Sequence, residues 1–262
     1  MNSLIPSQRL GLAILGSLFL FVVIEILFIG ADPAKQNLDA IFTAPSLAEP
    51  LGTDQFGRSN VARLSGALQT SLFMALFCVI TSATLGVLLG VLAGWYKGWL
   101  DTVLSFVVNV LLALPGLILV LLLAALVPGS FFMLYVAISL VLWVEYFRVI
   151  RARTMALAQS PEIEAAKLFG FGRRYIFTNH LWPHFRKDVF TLACFGAGNA
   201  VLALASIGFV YVGLRPPHTE LGLMMVELFP YYSDAVWVLM QPLIAVVLLV
   251  LGFHLIAGGE RE

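Results

Sequence analysis

The hydrophobic pattern does not alternate and does not sit on one helix face. It runs in long apolar stretches separated by short polar breaks. Six stretches stand out: Leu10–Gly30, Leu68–Trp95, Leu100–Val127, Phe131–Ile150, Val189–Gly213 and Ala235–Ala257. Each is long enough to cross a bilayer as a helix, which takes about 20 residues. Backbone polar groups in lipid must satisfy one another, so apolar runs of this length predict helices. The breaks carry turn chemistry: Trp95-Tyr96-Lys97-Gly98-Trp99, Pro128-Gly129-Ser130 and Arg215-Pro216-Pro217. The fold class expected is all-α, a polytopic membrane protein with six transmembrane helices. Trp95, Trp99 and Trp237 are placed as interfacial anchors.

Composition agrees with the pattern. The chain has 262 residues, of which 60% are hydrophobic and 11% charged, against about a quarter charged in soluble domains. Fifteen basic and fifteen acidic residues cancel, so net charge favours neither nucleic acid nor an acidic partner. Their distribution is more informative. A cytoplasmic N-terminus puts Arg9, Lys97, the cluster from Arg148 to Lys187 and Arg261 inside, and leaves Lys35, Arg58, Arg63 and Arg215 outside. That asymmetry predicts both termini in the cytoplasm. The first stretch lacks a small-residue cleavage site and reads as a retained signal anchor. Cys78 and Cys194 lie inside apolar runs, where thiols serve as small packing residues.

One polar segment, 148–188, interrupts this apolar chain on the cytoplasmic side. Ser160-Pro161-Glu162 is a helix start, with an N-cap, a proline at the first position and an acid in the first turn. Ile163, Ala166 and Phe169 follow at helical spacing, beside Ala165 and Leu168, and Gly170 is placed to end the helix. A second short helix is expected from Arg173 to near Pro183. Two readings fit the residues. One is an amphipathic loop lying on anionic lipid. The other is a docking element, in which Ala165 and Ala166 admit a close partner while Leu168 and Phe169 fill a groove.

A resemblance favours docking. Glu164-Ala165-Ala166, then Gly170, then His180-Leu181-Trp182-Pro183 is similar to the "EAA" loop of permease subunits of bacterial ABC importers. Leu51-Gly52-Thr53-Asp54-Gln55-Phe56-Gly57-Arg58 resembles the L-G-T-D-x-x-G-R-D signature of dipeptide, oligopeptide and nickel permeases, with Ser59 in place of the final Asp. The segment from Gly208 through Pro216-Pro217 to Glu220-Leu221-Gly222 is similar to their S-F-L-G-L-G-x-x-P-P-x-x-E-W-G stretch, with Leu221 replacing Trp. Leu114-Pro115, Trp143, Tyr146 and Arg148 also match, and Phe253 to Gly259 resembles a shortened form of the family's tail. The likeness covers nearly the whole chain and is nearest to the second, "C"-type permease.

The resemblance implies the type I ABC importer transmembrane-domain fold. Residues 1–66 would hold the cytoplasmic tip, first helix and external loop. Residues 67–257 would form the transmembrane domain with its loop 148–188, and 258–262 a short cytoplasmic tail. It implies that Glu164, Ala165, Ala166, Leu168, Phe169 and Gly170 couple to an ATPase, and that Thr53, Asp54, Gly57 and Arg58 organise the outer entrance. The implied partners are a homologous permease, two cytoplasmic ATPase subunits, an extracytoplasmic solute-binding protein and membrane lipid, in the bacterial inner membrane. The implied cargo is short peptides, nickel or metal–chelate complexes.

The remaining chemistry is sparse. No G-x4-G-K-[ST] loop occurs, so no cofactor is expected on this chain; ATP and Mg would belong to partner subunits. No catalytic set is present, and the chain is expected to be non-catalytic. His180 and His184 have a metal-ligand spacing, but Pro183 and the lack of a nearby carboxylate favour a structural role. Glu145 and Arg148 are candidates for a pathway or gate, with a simple one-turn ion pair equally open. Glu25 is placed to snorkel outward; Glu227 and Asp234 lie in an outer loop or its edge, open to contact with the binding protein or the substrate entrance, with solvation the commoner outcome. Gly86, Gly90 and Gly94 form a close-packing row, within the chain or against a second permease. The rival function is a self-sufficient secondary transporter, which would need intramembrane ion-coupling groups and broken helices. A second rival is a membrane enzyme, for which no catalytic set is present.

Overall fold

The computed structural model describes residues 5–216 and 218–258. Pro217, Gly259 and Arg261, used above in the motif, the tail pattern and the charge count, lie outside the described residues, as do residues 1–4 and most of the tail. The described chain is helical, with a lone antiparallel bridge between Thr53 and Ser59. Helix α1 (Pro6–Ile24) continues through a π turn (Glu25–Ile29) and ends at Gly30. Helix α2 (Asn60–Tyr96) is 37 residues long. After it come α3 (Gly98–Leu112), α4 (Gly116–Leu126) and α5 (Phe131–Leu157). Segment 148–188 carries α6 (Pro161–Leu168) and α7 (Arg173–Ile176), and a π turn (Phe177–Leu181) leads into α8 (Trp182–Phe209). Helix α9 (Leu221–Leu228) and α10 (Val236–Gly258) complete the chain.

Among the described residues, five helices are long and apolar enough to span, and there is a sixth span only if α3 and α4 are taken together. That pair, expected as one span over Leu100–Val127, is bent by 86°. The cause is Leu114-Pro115. Proline lacks the amide that would continue the ladder and pushes the residue before it out of the α region. Pro115 itself is extended, with ψ 127°, and caps the start of α4.

Three boundaries also differ from expectation. Helix α2 begins eight residues before Leu68, because the charge of Arg63 in its first turn is neutralised by its neighbours, as shown below. Helix α5 runs past Ile150 to Leu157, where Arg151 pairs with Asp101 of α3. Pro183 does not stop the second loop helix. It falls in the first turn of α8, directly after the π turn, whose i→i+5 bonding absorbs the missing proline donor.

Packing centres on α2, α5, α8 and α10, whose buried Leu68, Met74, Leu134, Leu204 and Leu249 form one core. The Gly86–Gly90–Gly94 row faces α5, so its close packing is within the chain. A Cβ on Gly86 would stand 2.5 Å from the Cβ of Tyr146, and one on Gly94 2.7 Å from the Arg151 carbonyl. Glu25 does not snorkel. It is 6% exposed, and its Oε2 accepts a hydrogen bond from Ser65 Oγ at 2.9 Å. A carboxylate this deep needs such a partner.

Candidate functional site

Two regions carry the candidate chemistry, one at each end of α2. On the loop side, α6 starts at Ser160, whose backbone is extended but whose Oγ has no hydrogen-bond partner. Glu162 and Glu164 lie in the first turn, where the helix dipole favours acids. The helix closes with a Schellman motif. The Phe171 amide donates to the Ala166 carbonyl and the Gly170 amide to the Lys167 carbonyl, both at 3.0 Å. Gly170 sits at φ +77°, the left-handed conformation that a side chain would strain.

Helical periodicity then sorts the six residues expected to couple. Ile163 and Ala166, three apart, share the inner face and pack against Ile150, Ile176, Leu181 and Phe185. Glu164 is exposed and Ala165 half-buried. Leu168 and Phe169 stand out at 88% and 80% exposure. The expected small docking face is therefore split: Ala166 belongs to the chain's own interior, and the apolar surface offered outward is Leu168 with Phe169. The loop is tied back to α2 through the Lys167 ammonium over the Trp95 ring at 4.7 Å. Arg173 Nη1 also donates to Tyr96 Oη at 2.5 Å. His184 Nδ1 and the His180 carbonyl lie 2.6 Å apart, within one helical turn.

At the other end, residues 51–59 fold into a cap built around Asp54, which is fully buried. Asp54 Oδ1 accepts the amides of Phe56 (2.8 Å) and Arg58 (2.9 Å). Its Oδ2 accepts Arg58 Nε (2.6 Å) and Arg63 Nη1 (2.5 Å). Both guanidinium groups also reach Glu227 Oε2, at 3.0 Å from Arg58 and 2.5 Å from Arg63. Two cations and two anions thus close a buried ring that joins the cap, the first turn of α2 and the end of α9. Thr53 Oγ1 donates to the Ala40 carbonyl and accepts the Thr43 amide, fixing the preceding loop. Gly57, at φ +66°, leaves only 1.7 Å between a would-be Cβ and the Asn37 carbonyl, so no other residue fits.

The structure gathers Thr53, Asp54, Gly57 and Arg58 in this cap and adds two residues that sequence reasoning missed. Glu227 is not solvated; its side chain is 12% exposed. Arg63 is 1% exposed. A lone arginine at the head of an apolar helix needs a buried anion, and that was the available signal. Glu220, present in the sequence motif but given no role there, is a third. Fully buried, it caps α9 by accepting the Gly222 and Leu223 amides at 2.8 Å each. Burial pushes its carboxyl up to about 7, against the opposing pull of those two amides.

Glu145 and Arg148 part company. Glu145 lines a cavity of about 310 Å³ between α4, α5 and α8, together with Asn199 and Ser206. Arg148 is exposed and does not line it, and among the described residues the two form no salt bridge.

A polytopic helical bundle with a loop helix displayed at one end and a charged cap at the other defines a membrane-embedded transport component. Residues 86–258 match the family model described as "Binding-protein-dependent transport system inner membrane component", and the chain belongs to that family. It is a permease subunit, as the EAA-type loop implied. Among curated relatives, it is 36% identical over 262 residues to the dipeptide transport system permease protein DppC of Escherichia coli (strain K12), covering 95% of this chain and 87% of that one. It is 29% identical to the protein of the same name from Alkalihalophilus pseudofirmus, over 96% of this chain and 83% of that one. It is also 29% identical to the probable D,D-dipeptide transport system permease protein DdpC of Escherichia coli (strain K12), over 88% and 78%.

Proposed function

We propose that this chain forms half of the translocation pathway of an ATP-driven importer of short peptides. The observation that carries the reading is the loop helix α6, anchored by Ile163 and Ala166 while Leu168 and Phe169 are displayed with nothing of their own chain to cover them. A surface of this kind suits a groove on a separate ATPase subunit. The dipeptide relatives support short peptides as the cargo.

In this reading a homologous permease supplies the other half of the pathway, two ATPases bind ATP and Mg on the cytoplasmic side, and a solute-binding protein docks outside. The chain holds no cofactor and catalyses nothing itself. Both termini and the loop 148–188 are cytoplasmic, in a bacterial inner membrane. Closure of the ATPases on ATP moves the coupling helices and turns the pathway outward; hydrolysis resets it. The chain acts as a two-state gate biased by a nucleotide it does not touch. Glu145, in its cavity between α4, α5 and α8, is the candidate pathway residue, and Arg148 lies one turn nearer the cytoplasm.

The test is reconstitution with the partner permease, ATPases and binding protein in proteoliposomes. Uptake of a labelled dipeptide that requires ATP and all subunits is the expected result, with nickel as the comparison cargo. Uptake by this chain alone, driven by an ion gradient, would establish the secondary transporter instead. A cysteine replacing Ser59 that reacts with an impermeant reagent only after cell lysis would reverse the orientation.

A further inference from the structure

We propose that the groove between the last turns of α2 and the α7–α8 junction is a binding site for one anionic phospholipid. The acyl chain would lie in the groove and the phosphate on Arg173 and Arg174. The groove has a volume of about 340 Å³, and its floor is Val87, Leu88, Val91, Leu92, Phe177 and Leu181. Trp95, Tyr96, Arg173 and Arg174 complete it, and no carboxylate lines it.

Three features select a lipid over other occupants. The first is length. From Val87 to Tyr96 the groove follows about 14 Å of helix, close to half of the ~30 Å hydrocarbon thickness and therefore to one leaflet. The second is polarity along that length. The wall changes from purely aliphatic at Val87 to Trp95 and Tyr96, residue types that sit at headgroup level, and then to two arginines. The third is the state of those arginines. Arg173 is steadied by its hydrogen bond to Tyr96 Oη and by its position over the Tyr96 ring at 5.4 Å. Its fork of five donors is mostly unused, and arginine matches a phosphate bidentately. The Arg174 side chain is exposed and makes no hydrogen bond or ion pair among the described residues. A basic pocket beside transmembrane helices on the cytoplasmic side is the physical form that holds anionic headgroups.

The leaflet assignment rests on the cytoplasmic placement of this loop under the proposed function. The site itself does not, because lipid retention is read independently of transport and of orientation. The experiment uses the full chain with the subunits it co-purifies with, in nanodiscs containing phosphatidylcholine and phosphatidylglycerol. Native mass spectrometry then measures retained phosphatidylglycerol. Wild type should retain it in preference to phosphatidylcholine. The pair Arg173→Gln and Arg174→Gln should lower retention about tenfold, from the loss of two headgroup contacts. The exposed basic pair Arg186→Gln and Lys187→Gln should leave it unchanged. Leu88→Trp, which fills the groove and keeps both charges, should lower retention as well. Soluble glycerophosphoglycerol should not compete, which separates a lipid from a free phosphodiester.

Equal losses from both basic pairs would mean diffuse surface charge and would overturn the site. So would retention untouched by Leu88→Trp, or by the Arg173 and Arg174 changes in a monodisperse preparation. A cysteine replacing Leu92 that cross-links to another subunit, with no lipid retained, would show a protein occupant and overturn it equally.

Discussion

Leu168→Ser combined with Phe169→Ser removes the outward surface of the loop and leaves its scaffold intact. The two side chains are 88% and 80% exposed, so the isolated chain loses almost no burial when they are cut back. Ile163 and Ala166, which hold α6 to the bundle, and Gly170, which ends it, are untouched. Covering a leucine or phenylalanine is worth about 1.5–3 kcal/mol, so the pair contributes about 4 kcal/mol to an interface that buries both. That corresponds to about a thousandfold in association. The assay is co-purification and titration of the ATPase subunits, with uptake measured in parallel and the thermal midpoint of the permease as the control. Association should collapse while the midpoint stays put. Ordinary ATPase binding and uptake in the double variant would refute the docking assignment. Ala166→Arg, which looks like the natural blocking change from sequence, is the weaker experiment: Ala166 is 4% exposed, and a buried arginine there would disrupt the loop whether or not anything docks on it.

Asp54→Asn keeps the shape of the cap but leaves Arg58 and Arg63 sharing only Glu227. Breaking a buried pair costs about 3–5 kcal/mol, seen as a lower thermal midpoint, and adding Arg63→Met should recover part of it. Gly90→Leu places a side chain 3.0 Å from the Phe147 carbonyl and should cost about 1–3 kcal/mol or more by forcing α2 from α5. Gly16→Leu, with open space around it, should be neutral in the same melting assay. Glu220 gives a pH signature. The folded carboxyl keeps its proton up to about 7, while the unfolded one releases it near 4.5. The folded state therefore binds more protons in that window, and this group's contribution to stability falls as pH rises through it and is flat on either side. Glu220→Gln should abolish that slope, since its side chain does not titrate. A wild-type minus variant difference in melting that does not change between pH 4.5 and 7 would contradict the assignment.

Helix existence was legible because apolar length alone decides it in a bilayer. What length could not register was interruption. Leu100 to Val127 is apolar throughout, and the bend lies in the backbone chemistry of Pro115. The loop helix was legible in Ser160, Pro161 and Gly170, since caps are local signals. Which side of α6 faced inward was not, because Ala165 and Ala166 are chemically alike and only the position of Ile150 and Phe185 tells them apart. The cap of residues 51–59 was half legible: its motif named Asp54 and Arg58. Glu227 lies 169 residues beyond Arg58 in the chain, and no local pattern connects them. A charge at the edge of a span looks the same in sequence whether water or a buried partner satisfies it.

Helix α2 has 37 residues, hence a length of about 55 Å, nearly twice the apolar depth of a bilayer. Its first turn is clamped by Arg63 into the ring of charges, and its last turn carries Trp95 and Tyr96 against the loop that bears Leu168 and Phe169. It is a strut pinned at both ends. Its residues are fixed in one continuous helical ladder, so it transmits tilt without absorbing it. Any pivot along it moves its two ends in opposite senses, each in proportion to its distance from the pivot.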